Sequence, residues 1–151
     1  MKNICILLAV ASLGVAVPAQ ASPYLDTKHL MVVYNNEGEL KQFLKRVTGT
    51  EEIQLAVQRL DALVERVQDI LDIHNESIQV VVELSTVIEK NNFGSYSNKT
   101  KRISINVKGV TDGVLAHEIA HAILDKDFSS LPENCHEILA QHVDKELWRE
   151  I

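Results

Sequence analysis

The sequence predicts an α+β domain, because its hydrophobic period changes along the chain from that of a helix to that of a strand and back. Between residues 50 and 74, apolar residues recur every three or four positions, the period of an amphipathic helix. Residues 77–84 and 102–107 alternate apolar and polar positions, as half-buried strands do. From about residue 111 the helical period returns. The predicted order is therefore helix, small sheet, helix, helix.

The N-terminal segment predicts a secretory signal peptide. Lys2 supplies a positive start, residues 4–17 form an apolar run, and "AQA" is a small-x-small pattern, so cleavage is expected after Ala21. The run is shorter than the about 20 apolar residues that a membrane-spanning helix requires. We therefore expect a secreted or periplasmic protein with one domain at residues 22–151 and no membrane attachment after cleavage.

Charge and cysteine content narrow the function classes. The chain carries 21 acidic and 15 basic residues, a net charge of −6, which disfavours nucleic acid and anionic membrane surfaces as partners. Cys135 is the only cysteine beyond the predicted signal peptide, so the exported chain cannot form an internal disulfide. We interpret Cys135 as a small buried thiol. Stability must then come from the hydrophobic core, to which a bound metal could add.

The first half of the chain predicts one short and one long helix. Residues 30–34 are a short apolar run, and residues 35–49 favour a helix that ends at Gly49. The helix at 50–74 has Thr50 as its expected N-cap, with acidic residues in its first turn. Its apolar stripe is Ile53, Val57, Leu60, Val64, Val67 and Leu71.

The second half predicts two strands followed by two helices. Residues 78–84 and 103–107 are the strands, and the "NNFG" and "SNKT" stretches between them are typical of turns. The alternation of strand 103–107 predicts an exposed edge, along which an extended peptide or protein substrate would add as a further strand. The last helix follows a Ser130–Glu133 capping-box pattern. Its apolar stripe is Ala140, Val143, Leu147 and Ile151.

The stretch "HEIAH" places two histidines on one face of the helix predicted from residue 111. His117 and His121 are four residues apart, so both imidazoles can bind one cation. Glu118 lies about 100° around the helix axis, too far to share that position but close enough to act as a base on a water activated by the metal. The pattern predicts a catalytic zinc site whose third protein ligand must come from elsewhere in the chain.

Three residues are candidates for the third ligand. Asp127 occupies the position of the last histidine in the extended metzincin pattern, but Leu124 replaces the glycine that permits the turn of that pattern. The favoured candidate is Glu137, which lies about two turns into the last helix, and a short loop can fold that helix back across the one with the histidines. His136 directly precedes Glu137 and would point about 100° away from it on the same helix.

The stretch "LPENCHEILAQHVDKE" resembles the second signature of the gluzincin peptidases, in which a Leu-Pro pair precedes a helix with the zinc-binding glutamate. Over residues 78–150 the chain is most similar to the minimal gluzincins, or minigluzincins. The resemblance implies a zincin-like fold with a long backing helix, a small twisted sheet with an exposed edge strand, an active-site helix and a C-terminal glutamate helix. It also implies one zinc ion per chain, with His117, His121 and Glu137 as ligands and Glu118 as the base.

The sequence departs from the family pattern at several positions. Asn134 and Ile138 replace an aromatic residue and a glycine, and His142 stands where these relatives usually have tyrosine. His142 and Tyr96 are rival candidates for the donor that stabilises the developing oxyanion. Sequence alone places neither of them.

The favoured function is an exported zinc endopeptidase in which Glu118 activates the water. The alternative is a non-catalytic or latent zinc-binding protein that keeps the zincin fold as a binding or inhibitory module, with residues 22–49 or 145–151 as a removable plug. A chance occurrence of the motif is the third interpretation. His29 and His74 are expected to be surface residues without a role.

Overall fold

The computed structural model describes residues 21–87 and 92–149, and these ranges form an α+β structure of four helices and one five-stranded sheet, which confirms the predicted class. The predicted signal peptide lies almost wholly outside the described residues, as does Ile151. No helix within the described ranges is both long and apolar enough to cross a bilayer. The elements are β1 (Tyr24–Asp26), β2 (Leu30–Val33), α1 (Glu37–Thr48), α2 (Ile53–Leu71), β3 (Val80–Ser85), β4 (Gly94–Ser97), β5 (Arg102–Asn106), α3 (Asp112–Asp127) and α4 (Glu133–Leu147).

The sheet has the strand order β1-β2-β3-β5-β4, with β2, β3 and β5 parallel and the two outer strands antiparallel to their neighbours. The predicted edge strand at residues 103–107 is therefore wrong in its placement, since β5 pairs with strands on both sides. The alternation in its sequence shows only that one face of β5 is buried and the other solvated. An interior strand has the same pattern when helices cover one side of its sheet. The edge on this side of the sheet is β4, which lies in the stretch predicted as turns and whose sequence "GSYS" offers no apolar alternation.

One hydrophobic core lies between the sheet and the helices. Alternate residues of β3 and β5, such as Val82 and Ile103, are fully buried, and so is the stripe of α2 around Val64. α3 is buried around most of its circumference, including the apolar Leu115 and Ile119. This packing fixes the position of α3, and it therefore also fixes the backbone of the residues on the one face of α3 that is not buried in the core.

The helix ends agree with the sequence in some places and not in others. α1 ends at Gly49, as predicted, with the positive φ of 74° that glycine adopts without strain. The N-cap of α2 is Glu52 and not Thr50, because the chain stays extended through Glu52. α4 begins after Pro132 without a side-chain cap, so the capping box starting at Ser130 does not form.

Residues 22–49, one of the two predicted plugs, are an integral part of the fold. They supply β1, β2 and α1, and Leu30, Phe43 and Leu44 are fully buried in the core. Removing this segment would expose that core, so it is not a plug.

His29 does not lie on the surface as predicted, whereas His74 is exposed. The side chain of His29 is 1% exposed because the turn between β1 and β2 packs against α2. Asp61 of α2 accepts hydrogen bonds from the Thr27 hydroxyl at 2.6 Å and from the His29 backbone N–H at 3.1 Å. Periodicity gave no sign of this contact, since the two segments are distant in sequence.

Candidate metal centre

The side chains of His117, His121 and Glu137 meet where α3 packs against α4. The two histidine Nε2 atoms are 3.2 Å apart, and Glu137 Oε2 lies 3.3 Å from His121 Nε2 and 3.7 Å from His117 Nε2. Ligands of one tetrahedral zinc ion are about 3.4 Å apart. The three atoms, which we call the α3–α4 centre, are therefore spaced for a single ion.

The local sequence explains this convergence. The histidines share one face of α3 because they are four residues apart, and Thr111 fixes the start of that helix by accepting a hydrogen bond from the Val114 N–H. On α4 the fully buried Ala140 and Val143 provide the packing face, so that helix can approach α3 closely. Glu137, one turn before Ala140, then reaches the imidazoles.

The other two candidate ligands are engaged elsewhere. Asp127 is exposed at the end of α3 and accepts a long hydrogen bond from Asn75 Nδ2 at 3.4 Å. His136 borders the same cleft, but its Nε2 donates to the Phe128 carbonyl at 3.2 Å. Leu124 is buried within α3, so the chain makes no early turn that would bring Asp127 back.

The protonation states of the ligands favour cation binding. Burial and the neighbouring His117 lower the pKa of His121, which keeps its imidazole neutral at physiological pH. A hydrogen bond from Gln141 Nε2 to Glu137 Oε1, 2.8 Å long, is the largest of the causes that hold the pKa of Glu137 below its ordinary value. A neutral imidazole and an ionised carboxylate, as at His121 and Glu137, are ligands that zinc accepts.

Glu118 is almost fully buried beside the centre, with 8% of its surface exposed. Burial raises its pKa, and the charge of His117 and a backbone hydrogen bond from Tyr96 offset part of that rise. A carboxylate whose pKa is raised towards neutrality is suited to general base catalysis. Glu118 is not positioned as a ligand, so its carboxylate remains available for proton transfer.

Gly94 allows the edge strand to approach Glu118. A Cβ atom at Gly94 would lie 2.8 Å from Val114 Cγ1 and 3.1 Å from Glu118 Cγ, both shorter than ordinary contacts. Only a residue without a side chain permits β4 to lie this close to α3. β4 is thereby fixed as one wall of the cleft above the centre.

Sequence reasoning did not identify Asp144, which orients His117. The His117 Nδ1–H donates to Asp144 Oδ2 at 3.0 Å, so this tautomer leaves the Nε2 lone pair directed at the centre. Asp144 and Gln141 follow Glu137 by seven and four residues, which places all three on one face of α4. That spacing was the signal that could have found them.

The cleft extends along β4 on both sides of Glu118, and its two ends differ in chemistry. One cavity of about 810 Å³ is lined mainly by polar groups, among them Ser97, Lys99 and Asp125. A second cavity of about 380 Å³ shares His117 and Glu118 with the first, and besides polar groups such as Asp144 it is bordered by three apolar side chains. Those side chains are Phe93, Val114 and Trp148.

The two predicted oxyanion donors lie in different places. Tyr96 is on β4 and lines the cleft, and its hydroxyl donates to Asp125 Oδ2 at 2.7 Å. Burial and this hydrogen bond raise the pKa of Tyr96. His142 is exposed on α4 and is not among the described residues that line either cavity. Cys135 is half-buried and outside both cavities.

No protein-family model, curated protein or solved structure matches this chain.

Proposed function

We propose that this protein is a zinc-dependent endopeptidase with a gluzincin-like active site. The observation that carries the proposal is the spacing of His117, His121 and Glu137, together with the buried Glu118 beside them. Two imidazoles and one carboxylate are a ligand set of catalytic zinc, which leaves one coordination position open for water or substrate. The predicted signal peptide supports action outside the cytoplasm.

The donor set fits zinc in number, type and spacing. Bound by these three side chains, zinc would polarise the scissile carbonyl and acidify a water molecule. Asp144 holds His117 in the tautomer that this binding requires, and Gln141 holds Glu137. These two contacts are the kind of support that keeps metal ligands in position.

Glu118 supplies the acid–base chemistry. Its carboxylate accepts the proton of the attacking water and then delivers it to the leaving amine. The raised pKa makes uptake of the water's proton more favourable, and the resulting carboxylic acid is the group that then protonates the leaving amine. A non-catalytic zinc protein has no use for such a buried carboxylate, which favours the enzyme over the binding module.

β4 takes the substrate role that the sequence predicts for residues 103–107. It is one of the two edge strands of the described sheet and a wall of the cleft, so an extended peptide can pair with its unbonded backbone groups. Gly94 and Tyr96 face α3, and the paired peptide would run past Glu118. Of the two expected oxyanion donors, Tyr96 is the better placed, although its hydroxyl must exchange Asp125 for the substrate.

The first test is the zinc content of the purified protein and of Glu137→Ala, with Glu146→Ala on the same helix as the matched control. We expect about one zinc at the α3–α4 centre, lost in Glu137→Ala and kept in the control. Activity is then measured on a denatured protein substrate with and without a chelator. Zinc binding without hydrolysis would support the non-catalytic alternative, and zinc kept by Glu137→Ala would overturn the ligand assignment.

A further inference from the structure

A second group of side chains of the types that can bind metals lies where the turn between β1 and β2 packs on α2, away from the cleft. Asp61 fixes this turn by accepting hydrogen bonds from the Thr27 hydroxyl and from the backbone N–H groups of Lys28 and His29, at 2.6, 3.2 and 3.1 Å. Glu65 follows Asp61 by one helical turn and therefore faces the same side of α2. The ring of His29 is thus held in place beside Glu65.

The imidazole of His29 has one nitrogen satisfied and one without a partner. Its Nδ1–H donates to the Ile78 carbonyl at 3.1 Å, which leaves a lone pair on Nε2. Among the described residues, Nε2 is the one buried side-chain polar atom without a hydrogen bond. It faces Glu65 Oε1 at 3.5 Å. A bare imidazole nitrogen and a carboxylate oxygen at this separation repel each other unless a proton or a metal ion lies between them.

That separation is the one expected of two ligands of the same ion. Nitrogen and oxygen ligands of a tetrahedral zinc ion are about 3.4 Å apart. At the α3–α4 centre the corresponding separations are 3.2 to 3.7 Å. An Nδ1–H bonded to a backbone carbonyl is also the usual support of a metal-binding histidine.

The ammonium group of Lys28 already shows where positive charge is held. Its Nζ lies 3.1 Å from Glu65 Oε1 and 3.1 Å from Glu76 Oε2, so one cation bridges both carboxylates. The side chain of Lys28 is 48% exposed and can turn out into solvent. A cavity of about 280 Å³ adjoins these groups, and Gln68, Asp69 and His74 also line it.

We propose that His29, Glu65 and Glu76 form a second site for a divalent cation of the zinc class, with Lys28 as its competing internal cation. We call these four residues the turn cluster. An imidazole ligand selects zinc, copper or nickel over magnesium and calcium. The ion would join the β1–β2 turn, α2 and the connection between α2 and β3. An exported chain without an internal disulfide would gain stability from such a link.

The test uses protein without an affinity tag, since tag histidines bind the same ions. In the variant His117→Ala/His121→Ala, which lacks the α3–α4 centre, calorimetric titration with Zn²⁺ should still show about one equivalent bound. Adding Glu65→Gln should abolish this binding, and adding Lys28→Met should tighten it. Glu51→Gln is the matched control, because Glu51 is also half-exposed and paired with a lysine.

Three outcomes would overturn the proposal: no zinc binding in the double-histidine variant, binding that Glu65→Gln leaves intact, or binding that Lys28→Met weakens. If the double-histidine variant does not fold, Glu65→Gln in the otherwise unchanged protein gives the same answer. The stoichiometry should then fall from two zinc ions to one, and an unchanged stoichiometry rejects the site. Failure of the α3–α4 centre would appear separately, as binding that the histidine substitutions do not change.

Discussion

Two regions of this protein direct the Nε2 of an imidazole towards a carboxylate oxygen. They differ in which other groups pair with that carboxylate. At the α3–α4 centre, Glu137 faces two imidazoles, and within the described part of the chain no lysine or arginine forms an ion pair with it. In the turn cluster, Lys28 bridges Glu65 and Glu76. The α3–α4 centre can accept an incoming cation directly, whereas the turn cluster must first release the ammonium group of Lys28. The difference suggests that affinity for a metal depends on the competing cation as much as on the ligands.

The regions also differ in rigidity. The histidines of the α3–α4 centre lie on a buried helix, and Glu137 lies on a helix packed against it. In the turn cluster only His29 is buried, and Glu76 has a side chain that is 91% exposed. Side chains that are already ordered lose less conformational entropy on binding. We therefore expect the tighter zinc site, and all of the catalysis, at the α3–α4 centre.

The largest expected effect comes from Glu118→Gln. This change keeps the size of the side chain and removes its ability to accept a proton, so peptidase activity should fall by about 10²–10⁴-fold. Zinc content should not change, because Glu118 is not among the predicted ligands. The measurement is the rate of hydrolysis together with metal analysis of the same sample. Full activity in this variant would show that the α3–α4 centre is not the active site.

A smaller effect is expected from Asp144→Ala, which removes the acceptor of the His117 Nδ1–H. Zinc affinity, measured by competition with a chelator, should fall by about 10–100-fold. Asp144→Asn keeps an acceptor oxygen without the charge and should lie between the wild type and Asp144→Ala. Glu146→Gln on the same helix serves as the control. Equal affinities in all four proteins would mean that His117 needs no support to bind, and that rigidity does not distinguish the two regions.

The same contrast explains what could be predicted from sequence. His117, Glu118 and His121 lie within one helical turn, and helical spacing alone places them together. The fold class followed from hydrophobic periods in the same way. The burial of His29 depends on the packing of its turn on α2, where Asp61 is 32 residues away, and no local period records such a contact. β4 was missed because a short edge strand with Gly94 at its start needs no apolar alternation.

Gly94→Ala tests whether β4, which borders the cleft at the α3–α4 centre, can move away from α3. The added methyl group would overlap Val114 and crowd Glu118, at 2.8 and 3.1 Å. Overpacking of this kind costs about 1–3 kcal/mol, so the thermal midpoint should fall and activity with it. Gly38→Ala, where a Cβ would meet only the Asn36 side chain at 3.2 Å, is the control. An unaltered midpoint and rate would show that β4 can move away from α3, contrary to the rigid site we describe.

The smallest expected effect is at Asp125, a carboxylate in the cleft that the protein neutralises with its own Lys101, as Lys28 does in the turn cluster. Burial raises the pKa of Asp125, but hydrogen bonds from Lys101 at 2.6 Å and from Tyr96 at 2.7 Å outweigh it and hold the pKa below 3.8. Since the folded pKa is lower than the unfolded one, the ionised group stabilises the fold above pH 3.8 and loses this contribution as the pH falls through the folded pKa. Asp125→Asn should therefore lower the free energy of unfolding by about 1 kcal/mol at pH 7, with little difference from the wild type at strongly acid pH. Denaturant titrations at both pH values give the comparison, and a deficit that persists in acid would assign the effect to packing and not to the charge that Lys101 and Asp125 share.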